Sequence, residues 1–192
     1  NTNERPLRFE PILLVGPPGT GKTYTVKKLA SFLNTSSYEI SLSSATEAFV
    51  LSGLPNGYTT SYPGEFAKAM SESNEINPIV ILDELDKACF TTRDRPSITG
   101  PLLQVLEPET ANSVKDACLG VKMDLSNVSW IATANDITGI PEAILSRFHI
   151  VNVRQLTVDE KSVQINSILS SFLSEFNFND HLHVQIDHQT FV

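Results

Sequence analysis

The stretch GPPGTGKT at residues 16–23 follows a short apolar run and opens a helical pattern, as the first unit of an α/β fold does. It matches G-x-x-x-x-G-K-[S/T], in which loop N–H groups and the positive end of a helix dipole face a phosphate. A glycine-rich turn without function could imitate part of this pattern, although not glycine, lysine and threonine at these spacings. The stretch therefore predicts a binding site for a nucleoside triphosphate.

Two side chains of this loop have definite expected roles. Lys22 neutralises the β- and γ-phosphates, and the hydroxyl of Thr23 ligates Mg²⁺. The residues expected to contact the nucleotide are Gly16, Pro17, Pro18, Gly19, Thr20, Gly21, Lys22, Thr23 and Tyr24.

Short apolar runs alternate with helical patterns along the chain. This alternation predicts a mostly parallel sheet covered on both faces. The predicted strands are 11–15, 38–42, 78–82, 128–132 and 148–153, and the predicted helices are 22–33, 64–73, 98–106 and 141–146. A capping-box pattern at 157–160 then begins a separate helical segment.

Polar side chains follow two of these strands. In IVILDELD, at residues 79–86, we assign Asp83 to the metal ion and Glu84 to polarising the attacking water. An acidic cluster after a strand is ordinarily a solvated loop start, but here a phosphate loop lies about 60 residues upstream. In IATAND, Asn135 can orient the water by hydrogen bonding, although taken singly it would be a turn residue.

Composition narrows the class of protein. The 192 residues are 41% hydrophobic, enough for one core or for one core with a small appended piece. The 14 basic and 22 acidic residues give a net charge of −8, which disfavours nucleic acid as a partner. Cys89 and Cys118 form no CxxC pair, which fits reduced thiols and a cytoplasmic location. No apolar run approaches the roughly 20 residues that span a bilayer, so no membrane association is expected. Because the chain starts at Asn1, we interpret it as a segment of a longer protein.

Taken together, GPPGTGKT, IVILDELD and ATAND resemble the Walker A, Walker B and sensor 1 motifs of the AAA+ ATPase family over nearly the whole chain. The resemblance implies ATP and Mg²⁺ as cofactors and a three-layer α/β/α P-loop NTPase fold with a five-stranded parallel sheet. The sensor 1 strand would lie between the other two motif strands, with Asn135 beside the γ-phosphate. It also implies a core at 1–154 and the start of a helical lid at 155–192.

The segment IPEAILSRF adds an expectation about assembly. Its Arg147 lies where the family has an arginine finger that reaches the nucleotide of a neighbouring subunit, which implies a homo-oligomeric, hexameric ring. Without the resemblance, an arginine after a short helix is most often a surface cation.

Within the family, NPIVILDELDK, LLQVLEPETAN and MDLSNVSWIATAN are similar, in order and spacing, to Lon proteases. This similarity implies a ring that unfolds or translocates a polypeptide for an associated peptidase. No serine–lysine peptidase pair is recognisable in the chain, and the sensor 2 arginine and the upstream adenine-binding segment are missing. The runs 51–56 and 93–99 also depart from Lon.

The loop GYTTSYPG, at residues 57–64, carries two tyrosines in a turn-like composition. The resemblance places Tyr58 and Thr59 where ring ATPases grip a substrate chain in the central pore, with Tyr62 as packing at the loop base. The alternative is that both rings are local packing.

Two function classes remain open. One is an ATP-driven enzyme that pulls or remodels polypeptides. The other is a nucleotide-dependent switch or scaffold, for example on DNA, with slow ATP turnover. A P-loop kinase ranks third, because Glu84 and Arg147 suit water activation and trans stabilisation better than transfer to a small acceptor.

Overall fold

The computed structural model describes residues 8–45, 47–55, 57, 60–88 and 97–175, which fall into two compact units divided between Val153 and Arg154. The strands are β1 Ile12–Val15, β2 Ser37–Ser41, β3 Ile79–Asp83, β4 Val114–Lys115, β5 Lys122–Met123, β6 Ser129–Ala134 and β7 His149–Asn152. The helices are α1 Lys22–Phe32, α2 Ala48–Ser52, α3 Glu65–Ser73, α4 Thr99–Leu106, α5 Pro108–Ala111, α6 Glu142–Leu145 and α7 Val158–Glu175.

Five strands form one parallel sheet in the order β2-β3-β6-β1-β7. The strand that carries the sensor 1 motif, β6, lies between β3 and β1, as the family resemblance implies. Because the carboxyl ends of parallel strands meet at one sheet edge, this order brings the residues after β1, β3 and β6 together. The predicted five-stranded parallel sheet and α/β class are confirmed.

The central strands separate two apolar layers. Along β3, Val80 and Leu82 belong to the larger core cluster, whereas Ile79 and Ile81 belong to a smaller cluster with Val26 of α1. Successive strand side chains point to opposite faces, so this alternation means that β3 is covered on both sides. The result is the predicted three-layer α/β/α arrangement.

The edge strands differ from expectation. We predicted all five strands to be buried on both faces, but all four residues of β7 are exposed, and only Ile40 is buried in β2. Each edge strand has a single neighbour in the sheet, so less of its surface is covered. The two short helices α2 and α5 and the β4–β5 hairpin were not predicted, since elements of two to five residues carry too little periodicity.

The β4–β5 hairpin is fastened to the rest of the core by one buried carboxylate. Asp116 has no exposed surface and accepts backbone N–H bonds from Gly64 (2.8 Å), Cys118 (2.9 Å) and Leu119 (2.8 Å). The N–H of Ala117 donates to the Ser52 carbonyl at 2.8 Å, which reinforces the same junction. Asp116 therefore joins the hairpin turn to Gly64, the N-cap residue of α3.

We expect Asp116→Ala to lower the free energy of unfolding by about 3 kcal/mol or more, because buried donors lose a charged acceptor. Chemical denaturation monitored by circular dichroism measures this loss. The matched control is Asp124→Ala, which removes an exposed carboxylate that accepts one backbone N–H from Ser126. Equal losses in the two variants would contradict the role of Asp116 as a fastening point.

The second unit is described from Arg154 through Glu175, and the helix within these residues is α7. Its predicted capping box is confirmed: the Glu160 N–H donates to Thr157 Oγ1 (3.3 Å), and the Thr157 N–H donates to Glu160 Oε2 (2.9 Å). Arg154 also donates to Glu160, and its hydrogen bond lowers the pKa of that carboxyl to about 2.

Candidate nucleotide-binding site

The backbone of the loop between β1 and α1 favours glycine. A Cβ on Gly16 would lie 2.1 Å from the Val153 carbonyl oxygen, and Gly21 has φ +78°, in the left-handed region. Gly21 is the N-cap of α1, and among the described residues no side chain caps that helix end. The first N–H groups of α1 therefore remain suited to an anion.

The side chain of Lys22 folds back onto the carbonyl groups of this loop. It is only 9% exposed, and its ammonium donates to the carbonyls of Gly16 (2.7 Å) and Pro17 (3.0 Å) and to Asn135 Oδ1 (3.1 Å). Burial lowers the pKa of Lys22, against the opposing effect of the nearby Asp86 and Asp83 carboxylates. All three direct partners are neutral oxygens, so a phosphate oxygen would be a stronger acceptor for the same ammonium.

A single carboxylate oxygen gathers two hydroxyls at the sheet edge. Asp83 Oδ1 accepts from Thr23 Oγ1 (2.7 Å) and from Thr133 Oγ1 (2.6 Å). Thr133 is 2% exposed and lies in β6, two residues before Asn135, which directly follows that strand. Thr23 and Asp83, predicted from sequence as a metal pair, are thus in direct contact.

Glu84 occupies an unusual backbone conformation. Its φ is +59° and ψ is +48°, a left-handed geometry that costs a non-glycine residue about 1–2 kcal/mol. Its N–H donates to Thr133 Oγ1 at 3.1 Å, and its carboxylate forms an ion pair with Lys87. Strained backbone of this kind is concentrated at functional sites.

Asn135 connects two parts of the site. Its Oδ1 accepts from Lys22, and its Nδ2 donates to Asp86 Oδ2 at 3.4 Å. The other oxygen of Asp86, Oδ1, is buried and has no hydrogen-bond partner among the described residues.

These groups border one cavity of about 240 Å³. Its lining comprises Pro18, Gly19, Thr20, Gly21, Lys22, Thr23, Tyr24, Asp83, Glu84, Asp86, Lys87, Thr133, Ala134 and Asn135. The volume is below the roughly 300–1,000 Å³ of pockets that enclose a whole ligand of drug size, so it suits the phosphates and a cation. The uncapped helix end, the buried ammonium and the unpartnered Asp86 oxygen fit nucleotide phosphates with Mg²⁺.

The remaining predicted residues lie elsewhere. Gly16 and Pro17 do not line the cavity, but their carbonyls accept hydrogen bonds from the Lys22 ammonium. Arg147 lines a second cavity, of about 510 Å³. The two cavities have no lining residue in common. Tyr58 and Thr59 fall outside the described residues.

Sequence reasoning missed three polar or charged residues of the cavity lining: Thr133, Asp86 and Lys87. The register of β3 and β6 pairs Leu82 with Ala132, so the next residues, Asp83 and Thr133, are neighbours. A strand-pairing argument could therefore have found Thr133. Asp86 and Lys87 belong to a single 3₁₀ turn after β3, for which the sequence gives no periodic signal.

Among the described residues, none of the helices combines the length and the apolar character needed to span a bilayer.

A family profile and individual relatives both match this chain. The sequence profile described as "ATPase family associated with various cellular activities (AAA)" matches residues 12–156. The Lon protease of Clostridium beijerinckii is 36% identical over 170 residues, covering 88% of this chain and 21% of that protein. The Lon protease of Mycoplasma genitalium is 38% identical over 167 residues, with coverages of 86% and 21%. That of Mycoplasma pneumoniae is 40% identical over 148 residues, with coverages of 77% and 18%.

The chain thus spans about a fifth of the length of these relatives. The profile covers most of the first unit, including the phosphate loop, the strand ends and the short helix before Arg147. The chain belongs to the ATPase family associated with various cellular activities, and it is an AAA+ module similar to the part of Lon proteases that it matches.

Proposed function

We propose that the chain binds ATP with Mg²⁺ and hydrolyses it to ADP and phosphate. The observation that carries this proposal is the convergence of Lys22, Asp83 and Asn135 from three different segments on one small cavity behind an uncapped helix end. Such an arrangement positions phosphates and places polar groups where charge develops during phosphoryl transfer.

Different residues of the chain bind the phosphates, bind the metal ion and activate the water. The loop N–H groups and Lys22 hold the β- and γ-phosphates, and Thr23 and Asp83 hold Mg²⁺, which supplies charge neutralisation when it is bound. Glu84 accepts the proton of the attacking water, and Asn135 orients that water through its side-chain amide. Thr133 fixes both acidic residues, through the Asp83 carboxylate and the Glu84 N–H.

The relatives support a finer proposal about the substrate. These relatives are Lon proteases, and we infer that this chain, in the cytoplasm, drives polypeptide unfolding or translocation in a hexameric ring with an associated peptidase. Residues 155–192 would be the first part of the helical lid of that ring subunit, and residues 1–154 its core. Arg147 would complete the site of a neighbouring subunit.

A nucleotide-dependent switch with slow turnover is the competing function. The strained Glu84 beside Thr133 favours the enzyme, because a pure switch has no need of a positioned base. The loop at residues 57–64 separates the two functions further, since only a remodelling enzyme uses it to grip a substrate.

We expect Tyr58→Ala to abolish ATP-dependent unfolding of a fluorescent model substrate by the intact protein while most ATP hydrolysis survives, because the aromatic ring supplies apolar grip. The matched control is Tyr62→Ala in the same loop. Tyr62 packs edge-on against Phe49, with ring centroids 6.2 Å apart, so its loss should affect packing more than grip. Unfolding that persists in Tyr58→Ala would contradict the gripping role, and absence of ATP-dependent unfolding in the parent protein would favour the switch.

A further inference from the structure

Within its own subunit, Arg147 is bound by the carboxylate of Glu107, which lies between α4 and α5. Its Nη2 donates to Glu107 and forms an ion pair with it, and its Nη1 donates to the carbonyl of Ala143 in α6. The two charged residues lie 40 positions apart in sequence. The arginine head is therefore turned back onto α6 and onto the junction of α4 and α5.

Glu107 has a fixed backbone at that junction. It is the N-cap of α5, and its carbonyl accepts the N–H groups of Ala111 (2.9 Å) and Thr110 (3.2 Å). Its side chain is 41% exposed, and that of Arg147 is 26% exposed. The backbone of Glu107 is thus held in place while its carboxylate is partly exposed to solvent. Another anion can therefore compete with this carboxylate for the guanidinium of Arg147.

The arrangement leaves Arg147 incompletely satisfied. Its Nε is buried without a hydrogen-bond partner among the described residues, although a guanidinium has five N–H donors. The neighbouring cavity of about 510 Å³ leaves space beside the guanidinium, and its lining also includes the basic Arg8 and the acidic Glu10. A phosphate can accept two parallel N–H bonds from arginine, which this pairing with Glu107 does not achieve.

We propose that Glu107 is a positioning residue that holds Arg147 in its own subunit until the terminal phosphate of a nucleotide on a second copy of the chain displaces the carboxylate. This inference rests on the trans role of Arg147 in the proposed function. The Glu107 carboxylate and the terminal phosphate compete for one guanidinium. While Glu107 binds Arg147, that arginine is therefore unavailable to the nucleotide of the neighbouring subunit. Assembly and hydrolysis are thereby linked through a single exchange of ion-pair partner.

The test is Glu107→Gln in the intact protein, with ATP hydrolysis per subunit measured against protein concentration. We expect the concentration that gives half-maximal activity to fall by about two- to fivefold, the size expected for loss of one partly exposed ion pair. Glu109→Gln is the matched control, because it removes the same charge two residues away in α5, and it should leave the half-maximal concentration unchanged.

Two further measurements separate the possible failures. Arg147→Ala should remove most concentration-dependent activity; if it does not, the trans role in the proposed function is wrong. In the Arg147→Ala background, Glu107→Gln should not alter ATP-dependent assembly measured by sedimentation. If Arg147→Ala is inactive but Glu107→Gln leaves the half-maximal concentration unchanged, raises it, or matches Glu109→Gln, the positioning role of Glu107 is overturned.

Discussion

Replacing Lys22 with methionine is expected to weaken ATP binding by about 100-fold or more, because a buried charged partner of the phosphates is lost. Methionine keeps the unbranched shape of the side chain while removing the ammonium, which now donates to Gly16, Pro17 and Asn135. Titration with a fluorescent ATP analogue measures the change in Kd.

The fold should survive this change. Burial lowers the pKa of Lys22, so the ammonium costs desolvation energy that methionine does not. We therefore expect a Tm equal to or above that of the parent protein, which separates lost binding from lost structure. Lys27→Met is the control, since Lys27 lies on the same helix but is half exposed and pairs with Glu39 at 2.5 Å. Equal weakening in both variants would show that the effect comes from helix charge rather than from contact with the phosphates.

Glu84→Gln is expected to preserve ATP binding and to reduce kcat by about 10²- to 10⁴-fold, the range typical for loss of a general base. The amide has the shape of the carboxylate but does not take up the proton of the attacking water. Phosphate release under saturating ATP measures kcat, and the nucleotide titration measures binding in the same preparation. Comparable loss of binding in Glu84→Gln and Lys22→Met would contradict the division of roles between these residues.

A second variant isolates the base from its ion pair. Lys87→Met removes the partner of Glu84 but keeps the carboxylate. We expect kcat within about tenfold of the parent, because exposed ion pairs contribute little. If Lys87→Met reduces kcat as much as Glu84→Gln, the ion pair rather than proton transfer explains the loss.

Much of the fold follows from local sequence. The bounds of β1, β3 and α1 lie within one residue of their predicted positions, because buried apolar runs and a helix opened by GKT have strong local signals. The hairpin at 114–123 depends instead on Asp116, whose partner Gly64 is 52 residues away. Contacts at such separations leave no periodic pattern for a single sequence to reveal.

The candidate site shows the same limit. Lys22, Thr23, Asp83 and Asn135 were predicted because each belongs to a motif with a known spacing, and the structure brings them together. The buried threonine of β6 was missed, because its role depends on which strand lies beside it. The pairing of Arg147 with Glu107 was missed for a similar reason, since two surface-type residues 40 positions apart give no sign of contact.

The hydrogen bond that the Thr23 hydroxyl donates to Asp83 bears on how a cation would bind at this site. The hydroxyl proton already points to a carboxylate, so the oxygen lone pairs remain available to a metal ion. A serine at this position would preserve that property, whereas a valine of nearly the same shape would remove both the ligand and the proton that orients Asp83.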